Sequence, residues 1–359
     1  MFILLKATKQ YKGIIIITHQ EQWFNWSIIK EKYYIILHLN WDISVLKRSN
    51  YIDYYMFPKS EIKCSQDLGY DCTNFIKKTF NPYENIENVN EEIININKKY
   101  NLSLDLTRSL NEKQFDFIYN GRCIPFKKTL DICRYFTYLA ENNITSVMII
   151  MHMNINAQKY YESVVNYYDS LNQDIKKKFQ LIDTSVFKLK NEKFHGLTLE
   201  EVALFCKSSN IYIHGSDLEG TSRSMHEAVC SGCVIMAKES MQGGALSYLT
   251  DENSVLYNHS NFPIKYKEAL LKSKNYKCEK KNIIELSEMY MIPKMLQDLY
   301  YKFNYKEKLE FDKFKKLVNT EEPQLNWAAH NNNVPWYLPG KMVSHIKTKQ
   351  QVKILMNYL

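Results

Sequence analysis

The chain lacks any apolar run approaching the roughly 20 residues that a membrane-spanning helix needs, so its pattern predicts no span. Its opening, MFILLKATKQYKGIIIITHQ, holds short apolar runs split by Lys, Thr, Gln and Lys; it reads as strands, not as a secretory signal. Without an export signal, the eight cysteines are expected as reduced thiols. Cys230 and Cys233 form a C-x-x-C, but no second cysteine or histidine pair stands at ligand spacing. Buried thiols are therefore expected there, rather than a zinc or redox centre. No internal repeat or low-complexity tract appears. What remains is ordinary globular material: 45% hydrophobic and 24% charged residues in 359, a length that favours two domains.

The net charge is +8, from 47 basic and 39 acidic residues. Basic clusters stand at Lys176–Lys178, at Lys277, Lys280 and Lys281, and at Lys313, Lys315 and Lys316. Solvated faces are one reading of them. The other is attraction to an anionic acceptor: a lipid diphosphate at a membrane surface, or a nucleic acid.

The most informative segment is IYIHGSDLEGTSRSMHEAVCSGCVIM. Ile211 to Ile213 reads as a buried strand, followed by a Gly-Ser-Asp loop. A helix opens near Ser224 and stops at Gly232. Glu219 falls in the loop and Glu227 one turn inside the helix, so both can face a cleft at the carboxyl end of a strand. By spacing alone they read better as a solvated Glu and one that complements the helix dipole. Upstream, FDFIYNGRCIPFKKTLDICRYFTYLAEN reads as a strand ending at Tyr119, a Gly-Arg turn, a loop, and an amphipathic helix from about Thr129. Between the two lie an apolar strand in TSVMIIMHMN, another in KKFQLID, a turn at His195-Gly196, and a helix from Leu199 to about Cys206 capped by Thr198 with Glu201.

These elements carry a resemblance. EGTSRSMHEAVCSGCVI closely resembles the Glu-x7-Glu signature of the retaining GT-B glycosyltransferases of family 4, in its EG-x-x-R-S-x-x-EA version. Val234 stands where many members have Pro. Gly121 and Arg122, with Lys127, resemble the family's GR-x-x-x-x-K-G element, Lys128 replacing its Gly. MQGGALSYLTDENSVLY is similar to a further stretch through Gly243 and Gly244, but lacks the Glu after the glycines and has Ser254 for a later Gly. The family's Gly-rich loop after its first strand has no match; Lys6 to Gly13 is the nearest loop and lacks a glycine pair.

The resemblance implies an α/β protein of GT-B fold, two Rossmann-like domains facing a cleft, the N-terminal one shortened. The expected domains are 1–112, 113–300, and a C-terminal segment 301–359 packing back toward the first. In the first domain KGIIIITH, KYYIILHLN and YIDYYMFP read as strands, with EQWFNWSIIKE and SEIKCSQDLGY as helices; NVNEEIININKKYNLSLDLTRSLNEKQ reads as an Asn-rich linker. In the tail Trp327, Trp336 and Tyr337 are expected to anchor the crossing, lining an acceptor path being the alternative.

The implied activity is transfer of a sugar from a nucleotide-diphosphate donor with retention. Arg122 and Lys127 would stabilise the leaving diphosphate, since fixed cations aimed at developing charge are strong catalysts. Glu219 would face the sugar, near the N–H groups of Gly220, Thr221 and Ser222. Glu227 would bind the ribose hydroxyls, Arg223 would serve the diphosphate or the acceptor, and Gly121 would line the same turn. His195 would lie beside the base, and His38 is placed at the active-site edge by position along the chain. No metal and no cofactor besides the donor is expected, UDP-linked by resemblance. The expected acceptor is a glycan or lipid-linked sugar, with the protein cytoplasmic or peripheral at an anionic membrane; a nucleic-acid base is the second acceptor. Two other classes stay open: a GT-B-shaped sugar-nucleotide epimerase and a non-catalytic sugar-nucleotide-binding protein.

Overall fold

The structure, a computed structural model, describes residues 2–5, 11–18, 26–38, 48–57, 64–69, 89–100, 113–151, 155–187, 199–219, 222–243, 249–276 and 288–303, with positions 7, 9, 197, 245 and 246. The chain divides into two compact units, Met1–Thr79 with Ile284–Leu359, and Phe80–Ile283.

The first unit holds one sheet of β1 (Phe2–Leu5), β2 (Gly13–Thr18), β3 (Tyr33–His38), β4 (Tyr54–Phe57) and β5 (Asp67–Gly69), in that order. β1 is antiparallel to β2; the rest are parallel. Ile14 to Ile17 in β2 are all buried, so side chains on both faces of the strand are covered, as its unbroken apolar run requires. Helix α8 (Glu288–Lys302) covers one face, laying Met295, Leu296, Leu299 and Tyr300 against Leu4, Ile14, Ile16, Ile36, Met56 and Leu68. Phe303 stacks on Tyr34 with ring centroids 4.0 Å apart.

The second unit begins with α1 (Val89–Tyr100) and then alternates strands and helices: β6 (Phe115–Arg122), α2 (Thr129–Glu141), β7 (Ser146–Met151), α3 (Gln158–Asp169), α4 (Gln173–Lys178), β8 (Phe179–Asp183), α5 (Leu199–Lys207), β9 (Ser209–Ile213), α6 (Arg223–Cys230), β10 (Val234–Lys238), β11 (Ser254–Tyr257) and α7 (Phe262–Asn275). Its sheet has the order β11-β10-β9-β6-β7-β8, with every pairing parallel. The chain enters at β6, winds outward to β8, returns to the other side of β6 as β9, and winds outward again. That is the doubly wound Rossmann order, and its winding reverses between β6 and β9.

Several elements differ from the sequence pattern. β6 does not end at Tyr119. Gly121 and Arg122 remain in the ladder opposite Ile150 and Met151, and an added Cβ on Gly121 would stand 2.7 Å from the Tyr119 hydroxyl. Asp67–Gly69 is an edge strand rather than part of a short helix, and Trp26–Ile28 is a single 3-10 turn. The first part of the expected linker, Val89–Tyr100, is α1. Its Ile96 is buried, and Lys99 donates to Glu201 of α5 at 2.6 Å. α8, most of which the expected boundary at 300 assigns to the second domain, belongs to the first compact unit. The Thr198 cap, the tail aromatics and the lysine clusters at 277–281 and 313–316 lie outside the described residues.

Candidate functional site at the carboxyl edge of the second sheet

Three adjacent parallel strands, β10, β9 and β6, deliver charged side chains to one edge. β6 ends on Arg122, whose side chain is exposed, and leads through a 3-10 turn at Pro125–Lys127 into α2. The Tyr119 hydroxyl lies 3.2 Å from Thr129 Oγ1, which in turn donates to the Arg122 carbonyl at 3.2 Å. This buried chain ties the strand end to the start of the helix. Between them stands Lys128 at φ 53°, a left-handed conformation that glycine adopts freely and other residues adopt at a cost. Lys128 stands where the GR-x-x-x-x-K-G element that this stretch resembles has Gly, and the backbone takes the shape a glycine would favour.

β9 ends at Ile213, and the loop beyond it carries His214, Gly215, Ser216, Asp217 and Glu219. Lys127 reaches across from the β6 side, and its Nζ donates to Glu219 Oε2. His214 Nε2 lies 3.4 Å from that same oxygen. The His214 side chain is 3% exposed and stacks on Tyr212. Burial opposes the charge on Glu219, but His214 and Lys127 outweigh it and lower the carboxyl to about pKa 2. Burial lowers the His214 imidazole, so it is neutral near pH 7; Glu219 pulls it up, and Lys127 and Lys238 push it further down.

Asp217 forms a second node. Lys238, the last residue of β10, donates to its Oδ1 at 3.0 Å, Ser240 donates to the same oxygen at 2.8 Å, and Lys128 Nζ lies 3.8 Å from Oδ2. Burial works to raise the Asp217 carboxyl, and the hydrogen bonds from Ser240 and Lys238 overcome it and hold it low. The backbone of the Glu219 loop is clamped to the segment after β10. Glu219 N–H donates to the Gln242 carbonyl at 2.9 Å, and Gln242 N–H to the Asp217 carbonyl at 2.8 Å. Gly243 permits the approach: at φ 104°, an added Cβ would sit 2.1 Å from the Glu219 carbonyl oxygen.

Ser222 caps α6, its hydroxyl accepting from Met225 N–H at 3.3 Å. Arg223 Nε donates to Glu227 Oε1 at 2.7 Å, and Glu227 is buried. The structure thus brings Glu219 and Lys127 together and pairs Glu227 with Arg223. His38 ends β3 in the first unit and is buried. Gly220, Thr221 and His195 lie outside the described residues. Cys230 and Cys233 are buried and in no disulfide, Cys233 Sγ donating to the Cys206 carbonyl at 3.1 Å. Among the described residues, no three His, Cys, Asp or Glu side chains are grouped as a metal ion would need, and no helix is long and apolar enough to cross a membrane.

Sequence reasoning did not single out His214, Asp217 or Lys238. Their signal was positional: each sits at or just beyond the end of an apolar run, and in a parallel sheet those ends share one edge.

No protein-family model matches the chain, and no curated protein matches it. Solved structures match in fold. OtsA gives a TM-score of 0.53 at 12% identity over 83% of this chain and 74% of its own. The alpha,alpha-trehalose 6-phosphate synthase of Burkholderia multivorans gives 0.53 at 11% identity, over 81% of this chain and 72% of its own. TarM gives 0.51 at 11% identity over 81% of this chain. These are GT-B glycosyltransferases. The fold is GT-B. At such identities the likeness concerns the fold alone, and this chain spans 55% of TarM's length. In GT-B terms, the second unit is a complete six-stranded Rossmann sheet, and its charged edge lies where the strand order reverses.

Proposed function

We propose that the chain is a glycosyltransferase that takes a sugar from a nucleotide-diphosphate donor held at the carboxyl edge of β6 and β9. One observation carries this: Lys127 and Glu219, 92 positions apart in sequence, meet at the switch point of the Rossmann sheet. Open α/β sheets bind ligands there. Bond cleavage leaves charge on the diphosphate. Arg122, exposed at the end of β6, and Lys127 are cations on either side of a pinned turn, suited to hold phosphate oxygens without a metal. Glu219 faces the sugar, oriented by its clamped loop. Glu227 is assigned to the ribose hydroxyls, with Arg223 fixing its carboxylate, and Ser222 opens the helix whose N-terminal N–H groups favour an anion. By family resemblance the transfer is retaining and of the family 4 kind, UDP is the first choice of nucleotide, and a glycan or lipid-linked sugar is the acceptor.

The test is turnover of UDP-, ADP- and GDP-linked sugars with EDTA present, followed by product analysis. Transfer, or slow hydrolysis of the donor, supports the proposal. Release of an isomerised sugar nucleotide would show an epimerase, and tight binding with no turnover a binding protein. Within a positive result, Arg122→Ala should lower kcat on the order of a hundredfold, comparable to loss of one donor to an oxyanion.

A further inference from the structure

Glu219 Oε2 is contested. Lys127 Nζ holds it, and His214 Nε2 stands 3.4 Å from it, near enough to favour its charge but outside good hydrogen-bond geometry, and with no other partner among the described residues. A buried imidazole nitrogen left unsatisfied is costly, and native structures rarely keep one without a use. Here the missing partner is in place, already occupied by a better donor.

We propose that His214 is a positioning residue that takes over Glu219 Oε2 when the donor diphosphate draws Lys127 away, so that donor binding carries a proton from solvent onto the imidazole. This rests on the donor site proposed above. Glu219 is only 14% exposed, so its carboxylate cannot lose its cation to water without a large desolvation penalty. The diphosphate offers Lys127 a stronger anion. Charges around His214 then change in one direction. Lys127, which opposes imidazolium in the free protein, is neutralised, and the anionic diphosphate arrives nearby. Glu219, which favours imidazolium, stays. Of the other groups that face the ring, Lys238 opposes protonation but is engaged by Asp217, and the ring of Tyr212 is neutral. The Tyr257 hydroxyl binds the His214 carbonyl, not the ring. Protonated His214 would then hold the carboxylate in place against the sugar. The proton comes from the buffer, and no bond of the donor changes in the step.

The sign follows from linkage. A group whose proton affinity rises on binding makes binding tighter at lower pH. Affinity should fall as pH rises through the bound-state pKa of His214, at up to about tenfold per pH unit, and level off below the free-state value.

The experiment is calorimetry of UDP-glucose, which has no phosphate group titrating near neutrality, in two buffers of different ionisation enthalpy at matched pH with EDTA. ADP-glucose and GDP-mannose follow if it does not bind. The wild type should take up a large fraction of one proton per donor near pH 7, and His214→Gln and His214→Asn should take up none. Donor binding without proton uptake, or unchanged uptake in both variants, would overturn the assignment while leaving the donor site intact. Failure of all three sugar nucleotides to bind would remove the donor site and this inference with it. A ligand-free arm is independent of the donor: Lys127→Met should raise the His214 pKa, followed by NMR, by about one unit or more. An unmoved value would show that the two side chains are not coupled.

Discussion

Lys128 is the residue where sequence and backbone most openly disagree. It occupies the left-handed region at φ 53°, between β6 and α2. Replacing it with Gly removes that strain, against the greater freedom glycine has in the unfolded chain, and loses only a partly exposed contact to Asp217 at 3.8 Å. Lys128→Gly should raise stability by roughly 0.5 kcal/mol, and Lys128→Val should lower it by more than that, because a β-branched side chain tolerates the region worst. Chemical denaturation of the three proteins checks both signs. Glu219 supplies the pH dependence. Its carboxyl lies at about 2, below its unfolded value, so its ionisation favours the folded state above about pH 4.5 and that contribution is lost as pH falls toward 2. The contribution is on the order of 3 kcal/mol. Glu219→Gln should therefore be less stable than wild type at pH 7, with the two curves converging below pH 3 in pH-dependent denaturation; a constant gap would show that the carboxylate gains nothing from its partners. Lys127 and Glu219 were singled out by resemblance to two motifs rather than by spacing, and the structure brings the two side chains together. His214, Asp217 and Lys238 were not singled out, because a strand-end residue acquires its partners only when the strand order is known.

At the scale of elements, the long apolar strands could be read directly. Runs such as GIIIIT and SVMIIM have no period, and the structure buries residues 14–17 and 147–150 on both faces of their strands. Two elements went unread for opposite reasons. α1 is rich in Asn, a poor helix former, and its helix is fixed by tertiary contacts: buried Ile96, the Lys99–Glu201 ion pair, and Tyr100 packed edge-on to Phe205 at 6.2 Å. β5 has only three residues and no pattern of its own; β4 dictates it through the ladder. The loop that carries Glu219 depends on Gly243. Gly243→Ala brings a methyl group within 2.1 Å of the Glu219 carbonyl and forces an unfavourable φ. This variant should lose at least about 2 kcal/mol of stability. Its donor turnover should also fall more than that of Gly215→Ala, whose added Cβ meets the Lys127 carbonyl at 2.8 Å on the other flank of the site. Kinetics at a temperature where each variant is folded separate the two effects.

For the whole molecule, the chain's return to the first unit is the organising fact. α8 begins 219 positions after the last strand it covers ends, yet Met295, Leu296 and Leu299 complete the core of the first sheet. The expected return segment, 301–359, lies outside the described residues beyond 303; the second compact unit closes at Ile283, and α8 belongs to the first. Leu299→Ala, at a fully buried position, should destabilise the protein by about 2–5 kcal/mol, seen as an earlier unfolding transition. The second unit carries the central claim, that its charged edge is a metal-independent site for a nucleoside diphosphate. Calorimetric titration of UDP, GDP, ADP and CDP in EDTA, on wild type and Lys127→Met, tests that claim most directly. One of the four should bind wild type, and Lys127→Met should weaken it by about tenfold or more, a lost charge-assisted contact. Absence of binding by all four, or equal binding to both proteins, would contradict the assignment.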